Sequence, residues 1–193
     1  MSLADRWAET IYRIATTRNK LKIIMTPVGI ILWFGLSVLF ILASLWLDKF
    51  LPVLLNFLTP VNIFLSVPLL VIGAILALWS VYSFSRARGS PVPINPPRML
   101  VTAGLYSRVR NPMVLGWVTM LLGVGLLLNS ISVIFIFTPL FTLLNVLYIK
   151  TIEEKEMEKK FGRQYLKYKE SVPMFIPRFG KKWGKLEGEL KRG

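Results

Sequence analysis

The sequence predicts an all-α integral membrane protein, and three observations carry that prediction. Four stretches approach the roughly 20 apolar residues needed to cross a bilayer. Composition agrees, with 54% of the 193 residues hydrophobic. The basic residues behind the net charge of +14 gather in the segments flanking those stretches rather than on a separate polar domain. Attraction to anionic lipid headgroups accounts for such a surplus more simply than nucleic acid does, so no nucleic-acid partner is expected.

The elements follow in order. Residues 1–22 read as an interfacial helix with Leu3, Trp7 and Ile11 on one side, and are too polar for a cleavable signal peptide. The first span, 27–47, contains no charged residue. Residues 50–58 are apolar but too short to cross; they form an interfacial or partly re-entrant connection, or extend a neighbouring helix. The second span, 61–82, carries Pro68, a kink site. The third, 113–128, begins after Pro112, a residue suited to the first helical turn. The fourth, 132–149, follows the Asn129-Ser130 turn, so these two short spans form a tight antiparallel hairpin, either little tilted or set in locally thinned bilayer.

Residues 83–112 form a loop whose Ser90–Pro97 portion, S-P-V-P-I-N-P-P, is extended and stiff, either as a connector or as a lid. Residues 150–178 read as a cytoplasmic amphipathic helix. Glu154, Met157, Phe161, Tyr165 and Tyr168 form one stripe, and Lys155, Lys159, Arg163 and Lys167 lie opposite. Gly162 weakens its middle and Val172-Pro173 ends it. Residues 179–193 are a basic tail. Lys and Arg crowd the N-terminal segment, the central loop and the C-terminal region, which makes the protein multi-pass with both termini cytoplasmic.

With no cysteine and no histidine, a structural zinc site, a disulfide and a Cys–His nucleophile are excluded, and no metal is expected. Any general base must be a carboxylate, a tyrosine or a lysine. The most informative run is Gly104–Gly116, G-L-Y-S-R-V-R-N-P-M-V-L-G, at the mouth of the third span. Glu153-Glu154 stand where the hairpin ends, so closing it brings Arg110 and the glutamates to one membrane face. Plainer readings stand beside that one. Glu154 is one helical turn from Lys150, Arg110 can anchor among headgroups, and Gly116, Gly123 and Gly125 suit helix packing.

The order of these features resembles the integral-membrane methyltransferases typified by isoprenylcysteine carboxyl methyltransferase and phosphatidylethanolamine N-methyltransferase. The ordered set is the proline-rich loop, the Gly104–Gly116 run, the hairpin, E-E, F-G-x-x-Y-x-x-Y and V-P-x-x-I-P. The resemblance spans Ser90 to Arg178 and implies S-adenosylmethionine as cofactor. It implies a cofactor pocket built from Gly104, Leu105, Tyr106, Arg110, Asn111, Pro112, Gly116, Glu153 and Glu154, with Arg110 and Glu153 catalytic. Val114 stands where the family usually has tyrosine. The implied substrate is a membrane-embedded, lipid-like or prenylated amphiphile. A prenylcysteine carboxylate comes first and a phospholipid amine is the alternative. A non-catalytic membrane protein and an NADPH-dependent reductase-like protein are further alternatives, and membrane lipids are the expected surroundings.

Overall fold

The computed structural model describes residues 19–51, 59–87 and 99–176. Among them every regular element is helical. Helix α1 is Asn19–Asp48 and α2 is Thr59–Arg86. A 3-10 turn, Gly104–Ser107, leads into α3, Pro112–Leu127. Helix α4 runs through Val133–Phe161, and α5 is Arg163–Ser171.

Several boundaries differ from expectation. Helix α1 takes in Pro27 and begins upstream of it, so residues 19–22 belong to α1 rather than to a separate interfacial helix. A proline removes a single backbone hydrogen bond, and apolar helices tolerate it where neighbouring groups re-satisfy the carbonyl. Residues 1–18 of that interfacial helix lie outside the described residues, as do 52–58, the Ser90–Pro97 loop and the 179–193 tail. Helix α2 extends past the expected span at both ends and keeps Pro68 inside. Helix α3 starts at Pro112, one residue from expectation.

The largest correction concerns α4. The chain does not begin a new helix at Lys150. It continues from the apolar stretch through two π turns, Val133–Phe137 and Ile149–Glu153, to Phe161. A π turn fits an extra residue into the helix and so changes which face later side chains occupy. The break comes at Gly162, with φ +54° and ψ −131°, a conformation open mainly to glycine. The expected 150–178 helix is thus the polar end of α4 plus α5, stopping at Val172 as Val172-Pro173 predicted.

Two helices, Pro60–Arg86 and Val133–Phe161, are long and apolar enough to cross a membrane. The polar end of α4, from Lys150 onward, lies beyond its apolar stretch. Exposure is inverted relative to a water-soluble bundle. Phe64, Leu78 and Phe135 are 77%, 69% and 69% exposed, while Ser37, Ser44, Ser66 and Ser80 are buried. Hydrocarbon tolerates that surface and water does not. Ser44, Ser66 and Ser80 donate to carbonyls of their own helices, at 2.6, 3.0 and 2.7 Å, which meets their need inside an apolar medium.

Helices α2 and α3 form the most extensive pair. Their backbones meet at glycines: a Cβ at Gly73 would lie 2.6 Å from Gly116 O, and one at Gly116 would lie 2.7 Å from Gly73 O. At the α3–α4 turn, Asp48 from the end of α1 accepts from the Ser130 hydroxyl and, at 3.0 Å, from Ser132 N–H. Asn62 Nδ2 donates to the Asn129 side-chain carbonyl beside them. This polar staple pins the hairpin turn, so the other ends of α3 and α4 stand side by side.

Candidate functional site

At those other ends the chain builds a cleft. Gly104, at φ +64°, turns the chain into the 3-10 turn that buries Tyr106 against Phe84, ring centroids 5.6 Å apart. Pro112 then starts α3, and the Asn111 carbonyl accepts from Leu115 N–H at 3.1 Å. The preceding strip is stitched to the C-terminal segment. Arg110 N–H donates to Pro173 O at 2.9 Å, Asn111 N–H donates to Met174 O at 3.1 Å, and the Tyr168 hydroxyl donates to Tyr106 O at 2.7 Å.

Arg110 is the hub. Its Nε donates to Val172 O at 2.9 Å and its Nη1 to Glu154 Oε1 at 2.7 Å. The other Glu154 oxygen pairs with Lys169 at 2.7 Å, and Lys169 reaches Glu158 at 2.8 Å. Burial pushes the Glu154 carboxyl up, but the hydrogen bonds from Lys169 and Arg110 outweigh it and hold the group below the ordinary 4.5. The Lys169 ammonium is raised above 10.5, chiefly by its bonds to Glu154 and Glu158. The network is a clasp holding α5 against the start of α3.

Glu153, half-buried, lines the cleft itself. Burial, then the charges of Glu156 and Glu154, push its carboxyl up to about 7, with Arg110 pulling the other way. The polar part of the lining also includes Tyr106, Arg110, Asn111, Tyr165 and Tyr168. The apolar part of the lining includes Phe84, Met113, Val114, Ile149 and Met157. Burial raises the Tyr165 phenol to about 12. The cavity in the cleft is about 90 Å³, below the roughly 300–1,000 Å³ of enclosed small-molecule sites, and it opens to the surroundings at its mouth.

Of the residues singled out from sequence, Tyr106, Arg110, Asn111 and Glu153 line this cleft. Glu154 stands behind the wall, tied to Arg110 and Lys169. Gly104 and Pro112 shape the backbone, and Leu105 lies in the 3-10 turn. Gly116 meets α2 instead of the cleft, in line with the helix-packing reading. Sequence reasoning missed Tyr165, Tyr168 and Lys169 as parts of the site. The apolar stripe held the two tyrosines, but the Gly162 break that folds α5 back was needed to aim them.

The helices present apolar faces outward, as a membrane-associated protein does, and a cleft lined by polar and apolar groups stands at one end of the hairpin. The chain belongs to the phospholipid methyltransferase family, whose model matches residues 61–164 and so takes in α2, α3 and α4. It is also similar to the protein-S-isoprenylcysteine O-methyltransferase of Schizosaccharomyces pombe, with 35% identity over 86 residues. That match covers 43% of this chain and 35% of the relative, so the chain spans about a third of the curated relative's length. No solved structure matches the chain.

Proposed function

We propose that this chain is an S-adenosylmethionine-dependent methyltransferase acting on a membrane-embedded amphiphile. In this reading four spans cross the membrane, α1 and α3 joining α2 and α4, and both termini and the cleft face the cytoplasm. The observation that supports it best is the cleft, whose wall carries both polar groups and apolar side chains. Such a wall suits a polar cofactor meeting a lipid-like substrate. When bound, the cofactor supplies an electrophilic methyl group on a sulfonium.

The residues fit such a cofactor. Glu153 accepts from a ribose hydroxyl or an ammonium, Asn111 offers amide groups, and the Tyr106, Tyr165 and Tyr168 rings offer flat apolar surface. Arg110 keeps donors beyond those given to Val172 and Glu154 for a carboxylate at the cleft wall. Catalysis in this site is chiefly positioning: the clasp fixes α5, and α5 fixes the tyrosines. A carboxylate acceptor needs no base, and the relative's name puts prenylcysteine first. A phospholipid amine is the second reading; Glu153 favours it, because a protonated amine needs a proton acceptor.

The test is thermal stability of the detergent-purified protein with S-adenosylmethionine, S-adenosylhomocysteine or NADPH. A ligand at a hundredfold excess over its Kd stabilises by about 2.7 kcal/mol. The first two ligands are expected to raise Tm and NADPH to leave it unchanged. A shift with NADPH alone would replace this reading by the reductase-like one. Labelled methyl groups followed into a prenylcysteine analogue or phosphatidylethanolamine then identify the acceptor.

A further inference from the structure

Glu156 has no part in the site described so far, yet its surroundings are unusual for a carboxylate. It is 3% exposed, and its Oε1 is buried without a hydrogen-bond partner. It follows Glu153 by three residues on α4, which places the two carboxyls on adjacent turns of one helix, with Cβ atoms roughly 5–6 Å apart by helix geometry. The Tyr148 hydroxyl, across the π turn from Glu153, is likewise buried without a partner. Nearby cations do not neutralise the pair. Arg110 is bonded to Glu154, and Lys169 is divided between Glu154 and Glu158. Lys160, one turn past Glu156, lowers that carboxyl's pKa only in part.

Two carboxylates on adjacent turns of one helix, one of them buried and short of a partner, stay ionised together only at a cost. Resting on the proposed cofactor reading, we propose that Glu153 and Glu156 share a proton across the cleft wall and release it when a cationic ligand group enters beside Glu153. The cleft face of the pair is then the site's cation-recognition element, and Glu156 is a positioning residue acting through Glu153. The balance is simple: one carboxyl O–H breaks, the proton passes to solvent, and the ligand's positive charge takes its place next to the two carboxylates. No other bond changes.

Burial drives both carboxyls up to about 7, so the shared proton is held at neutral pH. The groups facing Glu153 are Glu154, Glu156, Arg110 and the phenols of Tyr106, Tyr148 and Tyr165; those facing Glu156 are Lys160 and Tyr148. Burial pushes the phenols of Tyr106 and Tyr165 up, away from the range in which the carboxyls titrate. The protonation change therefore belongs to the pair, and its two steps are properties of the pair rather than of either residue.

Two measurements on the full chain in detergent decide the matter. Infrared titration of the ligand-free protein is expected to show protonated carboxyl signal persisting to neutral pH. Glu156→Gln, which keeps the shape, should move the remaining titration toward the ordinary carboxyl range, and Glu153→Gln should do the same reciprocally. Loss of all protonated signal well below neutrality in the wild type overturns the shared proton. The second measurement is calorimetric binding of S-adenosylmethionine and S-adenosylhomocysteine in buffers of different ionisation enthalpy. Proton release on binding either ligand, each of which carries an ammonium, at least halved in Glu156→Gln, supports the coupling. No proton release, or release unchanged in Glu156→Gln, overturns the coupling and leaves the cofactor reading intact. Binding of neither ligand overturns both together.

Discussion

Replacing Glu154 by alanine probes the clasp where its geometry makes the strongest demand. Arg110 and Glu154 side chains are 11% and 7% exposed and meet at 2.7 Å. Removing one partner of such a pair strands the other's buried charge, a loss of about 3–5 kcal/mol. Lys169 is 34% exposed, so its pairs count on the surface scale of about 0.2–1 kcal/mol. Because the clasp fastens α5, the loss should appear as local opening of Arg163–Ser171 rather than as global unfolding. At 1.4 kcal/mol per tenfold, α5 amides in Glu154→Ala should exchange on the order of a hundredfold faster or more, and those in Lys169→Ala by less than about tenfold. Native-state hydrogen exchange in detergent measures both.

The same clasp fixes the pH window. The Glu154 carboxyl is depressed, so its contribution is present above the unfolded value of 4.5 and disappears as pH falls through the lower folded value. Lys169 is raised, so its contribution is present below 10.5 and disappears as pH rises through the higher folded value. Protection of α5 arising from the clasp should therefore be flat between those limits and collapse outside them. Equal acceleration in the two variants would sink the reasoning, as would α5 protection that follows neither limit.

Two further outcomes follow from packing elsewhere. Gly73→Leu puts a side chain where even a Cβ lies 2.5 Å from Met120 Cγ and 2.6 Å from Gly116 O, and should cost about 1–3 kcal/mol by overpacking or separate α2 from α3; Gly35→Ala, with nothing within 4 Å of the new Cβ, should be neutral or stabilise by up to about 1 kcal/mol. Denaturant titration in detergent compares them. Asp48→Ala strips the acceptors from Ser130 and Ser132 and should cost about 0.5–2 kcal/mol, on the scale of a lost helix cap. Amide exchange at residues 130–133 should rise while cofactor affinity, set at the opposite end of the hairpin, stays the same.

Much of this architecture is legible in residue order. Apolar length marks the helices, Pro112 marks the start of α3 to within a residue, and Asn129-Ser130 marks the turn. Those signals are local, so composition and one proline are enough. Hairpin closure follows from them, and with it the meeting of Arg110 and Glu154. What stays hidden depends on phase. The π turn at Ile149–Glu153 shifts the helix face just before the carboxylates. Sequence marks the Glu153-Glu154 pair but not that one lines the cleft while its neighbour turns to Arg110 and Lys169. The same shift hides Glu156, whose burial comes from packing rather than from any motif. Gly116 shows the converse: the motif reads it as a cofactor contact and its place on an apolar span reads it as helix packing, and the approach of Gly73 favours the packing reading.

The division of labour between the adjacent glutamates has a physical logic. A cleft that must admit a ligand cannot also rely on that ligand to hold its walls together. Glu154 meets its charge entirely within the protein, from Arg110 and Lys169, and so keeps α5 in place whatever the cleft contains. Glu153, one residue away and without such partners, keeps its acceptor capacity for whatever enters. Exchanging these environments would fail in both directions. A clasp built on a carboxyl that titrates near neutrality would loosen at working pH, and a recognition group already bonded to an arginine and a lysine would have little left to offer a cation.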